Sequence, residues 1–84
     1  MKIRDGYILR RIAGTAFAVS VRPEDAGAMV RLNETGELLW RALEEGADES
    51  ALVSALCAEY DVDGAVARAD VLHFLASVAP MLEQ

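Results

Sequence analysis

Few side chains in this sequence are of the types that carry out catalysis. His73 is the only histidine, and its neighbours at helical spacing are Ala69, Ala76 and Ser77, so no Cys-His or Ser-His-Asp arrangement surrounds it. A nucleophile needs a base within hydrogen-bond reach to become reactive. We therefore predict that His73 is half-exposed or lines a groove without a catalytic role, and that the chain is not an enzyme.

The side chains that could bind a metal lack their usual companions. The single cysteine, Cys57, excludes an internal disulfide and a cysteine zinc site, and we expect it to be a buried core thiol. Asp61 and Asp63 resemble the opening of a calcium loop, but Ala65 and Ala67 follow and no glutamate closes the loop. The sequence thus predicts no metal and no cofactor, and a helix cap at Asp63.

Residues 29–40 join the two halves of the chain. The apolar run at residues 28–32 predicts a strand, and Asn33 then fits the N-cap of a helix over Glu34–Glu45 that ends at Gly46. Positions i, i+3, i+4 and i+7 of this helix form one apolar face, which consists of Gly36, Leu39, Trp40 and Leu43. Strand, cap and core-facing helix therefore follow one another with almost no linker.

Two further strands are predicted before this junction, over residues 7–12 and 15–21. Gly14 can adopt the positive φ of a tight hairpin between them. In the second strand, alternation predicts that one set of side chains faces the core (Phe17, Val19, Val21) and the other is more open (Ala16, Ala18, Ser20). In the first strand both faces are apolar, so the sequence does not decide which face packs against the core. With a turn at residues 22–27, started by Pro23 and ended by Gly27, the three strands suggest an antiparallel meander with the third strand at an edge. The sequence alone leaves the strand order open.

Two more helices are predicted after Gly46, capped by Asp48 and Asp63. The second helix of the chain would present Leu52, Val53, Leu56, Cys57 and Tyr60 on one face. The third would present a main core stripe (Val71, Phe74, Leu75, Val78) and a weaker stripe (Ala69, Leu72, His73, Ala76) on another face. Pro80 should end this helix near Ala79, with Met81 and Leu82 folding back onto apolar surface. The expectation is one α+β domain spanning residues 1–84.

Composition and charge exclude several classes of protein. The chain of 84 residues is 54% hydrophobic, which disfavours disorder, and its net charge is −6. Residues 1–31 carry +3 and residues 32–84 carry −9, an arrangement that disfavours general nucleic-acid binding. The apolar runs are too short to span a bilayer, and the start of the chain has no apolar signal core. We therefore expect a cytoplasmic protein that binds neither membrane nor nucleic acid.

Three stretches together resemble the PqqD-like family, also called RiPP recognition elements. The first is Asp5-Gly6-Tyr7-Ile8-Leu9-Arg10, and the second is Leu32-Asn33-Glu34-Thr35-Gly36 with Leu39-Trp40. The third is Glu59-Tyr60-Asp61-Val62 with Asp70-Val71 and Phe74-Leu75. The resemblance covers nearly the whole chain and implies a winged-helix-like fold, with a three-stranded antiparallel sheet followed by three helices. It also implies an adaptor that captures the leader region of a ribosomally made precursor peptide and presents it to a modifying enzyme, such as a radical enzyme or a cyclase.

In this family the leader adds as a strand along the third strand, in a groove bounded by the third helix. The resemblance therefore implies a peptide-binding site formed by Ala28, Met29, Val30, Arg31, Leu32, Ala69, Leu72, His73 and Ala76. A winged-helix DNA-binding regulator is the alternative, although the third helix offers only Arg68, offset by Asp70. A subunit that stabilises an enzyme without binding peptide is a third reading. The sequence leaves open whether the protein is a monomer or a homodimer.

Overall fold

The computed structural model describes residues 1–25 and 28–83, which form a three-stranded sheet followed by three helices. The strands are β1 (Tyr7–Ile12), β2 (Thr15–Ser20) and β3 (Met29–Leu32), and each pairs antiparallel with the next in the order β1-β2-β3. The helices are α1 (Glu34–Glu45), α2 (Glu49–Glu59) and α3 (Gly64–Val78). The predicted α+β fold, the meander and the position of the third strand at an edge are confirmed.

Local signals in the sequence explain where most of these elements begin and end. Ala13 and Gly14 have φ of 52° and 83° in the β1–β2 turn, as a two-residue hairpin with a right-handed twist requires. Each helix starts at its predicted cap, where the side chains of Asn33, Asp48 and Asp63 accept hydrogen bonds from backbone N–H groups at 2.8–2.9 Å. Pro23 begins a short 3-10 helix, Pro23–Asp25, while the predicted end of this turn at Gly27 lies outside the described residues.

The core lies between the sheet and the helices, and the predicted apolar face of α1 is confirmed as its centre. Leu39, Trp40 and Leu43 are no more than 1% exposed, and the Tyr7 ring meets the Trp40 ring edge to face at 5.6 Å between centroids. Gly36 is also buried. Burial of these large side chains is the main favourable contribution to folding.

The prediction for the two faces of β2 is wrong. Ala16 and Ala18 are buried against the helices, whereas Phe17 and Val19 are half-buried on the opposite face and Val21 is 59% exposed. Small side chains on the central strand leave room for the indole ring and the leucines of α1, which belong to the same core cluster. The larger side chains of β2 consequently lie on the face of the sheet that no helix of the described residues covers.

The predicted burial of two helical residues also differs from the structure. Cys57 is exposed, because the core stripe of α2 passes through Leu52 and Leu56, and one residue further along a helix turns the side chain by about 100°. Phe74, predicted as core, is half-buried. The other predicted core residues of α3 fit, since Val71 and Val78 are fully buried and Leu75 packs partly against them.

The two ends of the described chain pair with each other just after the C-terminal end of α3. Ile3 pairs with Leu82 in an isolated bridge, the Arg4 N–H donates to the Met81 carbonyl at 2.9 Å, and α3 ends at Val78 before a 3-10 turn that contains Pro80. Met81 and Leu82 fold back onto the core, as predicted. None of the helices within the described residues has the length and apolar character needed to cross a membrane.

Candidate functional site

The outer edge of β3 carries backbone groups that no strand of the described chain pairs with. The Ser20 N–H donates to the Ala28 carbonyl at 3.0 Å, which identifies this directly opposed pair as a hydrogen-bonded one. Such pairs alternate along an antiparallel ladder, so Val30 and Leu32 also bond to β2. The N–H and C=O groups of Met29 and Arg31 therefore point away from the sheet, toward the open side of the strand.

A groove of about 550 Å³ lies beside this edge, between β3 and α3. Its walls come from the β3–α1 junction (Val30, Arg31, Leu32, Asn33, Thr35, Gly36, Leu39) and from one face of α3 (Asp70, His73, Phe74, Ser77). The lining mixes buried apolar side chains with exposed polar ones at the rim. The groove therefore offers apolar contacts and polar groups to a ligand in the same place.

The absence of a side chain at Gly36 allows close packing at the floor of the groove. A Cβ at this position would lie 3.0 Å from the Asn33 Oδ1 that caps α1, and 3.6 Å from the edge of the Phe74 ring. Glycine thus leaves room for the Asn33 cap, while the Phe74 ring is at ordinary van der Waals distance from this position. Phe74 is half-buried, and it lines the groove together with Leu32 and Leu39.

The nine residues implied by the family resemblance occupy two different positions. Val30, Arg31, Leu32 and His73 line the groove, and Ala28 and Met29 continue the same edge of the sheet. The remaining three, Ala69, Leu72 and Ala76, are exposed on α3 but do not line the groove. His73 is exposed at the groove rim, which confirms its predicted placement.

The groove-facing side of α3 is shifted by one residue from the predicted stripe. The lining positions Asp70, His73, Phe74 and Ser77 follow the spacing i, i+3, i+4 and i+7. Each lies one residue, or about 100° around the helix, after a member of the predicted stripe Ala69, Leu72, His73 and Ala76. Phe74 was the available signal, because it is the largest apolar side chain on the helix. Because Phe74 is only half-buried, the stripe of α3 that includes it faces the groove and is not wholly buried in the core.

Charges around the site are arranged on different sides of β3. Arg31 borders the groove at the edge of β3, but it is paired in register with Phe17, so its side chain leaves the strand on the outer face of the sheet. Asp70 and His73 are exposed on the groove side. A smaller cavity at the end of β3, of about 160 Å³, is bordered by Arg31 and by Glu37. Among the described residues no group of three or more His, Cys, Asp or Glu side chains could hold a metal ion.

Glu37 anchors the start of α1 to the sheet near this smaller cavity. Its carboxylate accepts hydrogen bonds from Arg11 at 2.6 and 2.8 Å and from Arg41 at 3.0 and 3.3 Å. The two guanidinium groups, Arg11 first, hold the pKa of Glu37 below its usual value. This ion-pair network fixes the hairpin end of the sheet against the helix that forms the groove floor.

The fold and the site together define a small α+β domain whose open edge strand can accept another strand, beside a groove with both apolar and polar walls. The sequence model of the family described as coenzyme PQQ synthesis protein D (PqqD) matches residues 18–79, and the chain belongs to this family. None of the curated proteins matches the chain.

Two solved structures are similar over nearly the full length. TbiB1 in complex with the TbiA(beta) leader peptide is 32% identical, with a TM-score of 0.79 over 99% of this chain and 95% of that one. A lasso peptide synthetase B1 complexed with its leader peptide is 20% identical, with a TM-score of 0.74 over 94% of this chain and 89% of that one. The second likeness shows the fold alone.

Proposed function

We propose that this protein is a peptide-binding adaptor that captures the leader region of a ribosomally synthesised precursor peptide. The observation that carries the proposal is the open edge of β3 beside the groove that α3 bounds. An extended peptide placed there would satisfy the outward N–H and C=O groups of Met29 and Arg31 and put alternate side chains into the groove. Membership of the PqqD family and the likeness to TbiB1 in its leader-peptide complex support the same function.

The adaptor would work by binding and not by catalysis. Ser77 lies on the same face of α3 as His73, but its hydroxyl donates to the Phe74 carbonyl at 2.7 Å, and among the described residues no hydrogen bond joins it to His73. The groove therefore offers no nucleophile that His73 activates. We infer that the protein presents its bound peptide to a separate modifying enzyme, such as a radical enzyme or a cyclase, and that it does so in the cytoplasm. Cell fractionation and co-purification with that enzyme would test these two statements.

The surface charge does not favour the DNA-binding alternative. Arg68, the only base on α3, is ion-paired with Glu49 of α2. A recognition helix for DNA presents several unpaired bases to the phosphates. The protein should therefore pass through heparin at low salt, whereas retention would favour a DNA-binding regulator.

A matched pair of arginine substitutions on α3 tests the proposed site. Ser77→Arg fills the groove with a long side chain, and Ala76→Arg adds the same charge to an exposed position that does not line it. The ligand would be a peptide selected on the wild-type protein from a displayed library of random peptides, for which we expect a micromolar Kd, equivalent to about −8 kcal/mol.

The two variants should then separate clearly. Ser77→Arg should weaken binding by about tenfold or more, a loss of about 1.4 kcal/mol or more, because the new side chain occupies the space of the peptide anchors. Ala76→Arg should bind nearly as the wild type does. Equal loss in both variants, or none in Ser77→Arg, would show that the peptide does not lie in this groove.

A further inference from the structure

The face of the sheet that points away from the helices is unusually apolar for an exposed surface. Ile8, Ile12 and Met29 are 37%, 57% and 55% exposed there, and Phe17 and Val19 are half-buried beside them. Antiparallel sheets with one solvated face generally place polar side chains on that face. A contiguous apolar surface of this kind marks an interaction site more often than chance exposure.

Cross-strand rows organise this outer face. One row runs Ile8, Val19, Met29 across the three strands, and the next runs Arg10, Phe17, Arg31. The ion pairs among the described residues use the other five arginines, namely Arg4, Arg11, Arg22, Arg41 and Arg68. Arg10 and Arg31 thus flank the Phe17 ring without a carboxylate partner in the described chain.

Each row ends at the open edge of β3, where the proposed peptide would be the next strand. Directly opposed residues of neighbouring strands present their side chains on the same face, with Cβ atoms about 4.5–5.5 Å apart. The peptide residues opposite Met29 and Arg31 would therefore extend the two rows on the outer face, and the residue between them, opposite Val30, would enter the groove.

We propose that the protein contacts side chains of its peptide on both faces of the sheet. On the outer face it would favour a peptide with a carboxylate beside Arg31 and an apolar side chain beside Met29. This inference rests on the proposed function and narrows the ligand to a class. The preferred peptide carries Asp or Glu at one position, an apolar groove anchor next to it, and an apolar residue two positions from the acidic one. Opposite charges and apolar contacts across strands supply the selectivity.

The sheet supplies matched controls for both contacts. Arg10 lies in the same row and on the same face as Arg31, but it belongs to β1, two strands or about 10 Å from the open edge. Ile8 has the same relation to Met29. Arg10→Glu and Arg31→Glu change the net charge equally, so an effect of net charge alone would change the peptide affinity of both variants by the same amount.

The test uses a peptide selected on the wild-type protein from a displayed random library, synthesised with Glu, Gln or Lys at the position opposite Arg31. The wild type should bind the Glu peptide about two- to fivefold more tightly than the Gln peptide, and Arg31→Glu should reverse the order in favour of Lys. Arg10→Glu should keep the wild-type order. The preference should shrink in 1 M salt, where charges are screened beyond about 3 Å. Met29→Ser should weaken the binding of every peptide more than Ile8→Ser does.

Two results would overturn the inference in distinguishable ways. Selected peptides that shift the β3 amides in NMR spectra but show no acidic preference, or variants of Arg10 and Arg31 with equal effects, would refute the reading on the outer face and leave the proposed function standing. A library that yields no binder, or binders that leave the β3 amides unshifted, would refute the proposed function and this inference with it.

Discussion

Replacing Met29 by proline tests whether the outward backbone of β3 is the surface on which the peptide lies. Proline removes one N–H group, and the register places the Met29 N–H on the open side of the strand. The ladder to β2 loses nothing, and edge strands tolerate proline where the N–H faces solvent. We therefore expect Met29→Pro to fold with nearly wild-type stability in urea melts.

The loss of peptide affinity in Met29→Pro can be worked out from one hydrogen bond. A typical bond contributes about 0.5–1.5 kcal/mol, and a carbonyl of the peptide left without its donor costs about 1–3 kcal/mol. A total loss of about 1–3 kcal/mol corresponds to a Kd about 5- to 150-fold higher. Fluorescence anisotropy with a labelled selected peptide measures this range.

Two companion variants separate the backbone effect from other effects. Met29→Ala removes the same side chain and keeps the N–H, so the difference between it and Met29→Pro isolates the hydrogen bond. Val30→Pro removes an N–H that bonds to β2 and should destabilise the fold itself. The reasoning fails if Met29→Pro binds the peptide as tightly as Met29→Ala does.

Three further predictions concern the junction and its supports. Trp40→Ala should lower the free energy of unfolding by about 3–5 kcal/mol in denaturant melts, since the ring is fully buried; wild-type stability would mean that this core is wrong. Asn33→Ala should cost about 1 kcal/mol through loss of the helix cap, measured in the same way, and an unchanged melt would contradict the capping role. Glu37 has a lowered pKa, so its ion pairs stabilise the fold above the ordinary value of 4.5, and this contribution is lost as the pH falls through the lower folded-state pKa. Glu37→Gln should consequently be up to about 1 kcal/mol less stable than the wild type at pH 7, with the two proteins converging in acid; an equal gap at both pH values would argue against the ion pairs.

The junction between β3 and α1 was predictable because its signals are local. The Asn33 cap, the spacing of Leu39 and Trp40, and Gly46 after the helix each depend on residues within a few positions of one another. Such signals act the same way whatever the rest of the chain does. The short connections suggested a meander, but the strand order itself is settled by the structure.

The faces of β2 and α3 were not predictable from alternation or helical spacing, because packing decides them. Ala18 rather than Phe17 faces the core, since the large side chains of α1 already fill the space over the central strand. On α3, a rotation of one residue replaces Leu72 by His73, and His73 by Phe74, as the groove contacts. Both outcomes depend on volumes that distant residues contribute, so a single strand or helix does not encode them.

The most direct test of peptide binding at β3 is an NMR titration of the labelled protein with a selected peptide, followed by amide hydrogen exchange. The Met29 and Arg31 amides should shift and become protected from exchange, because they then donate to the added strand. Groove-facing amides of α3 around His73 and Phe74 should shift with them. Shifts confined to the exposed faces of α1 and α2, with the Met29 and Arg31 amides still exchanging freely, would contradict the account.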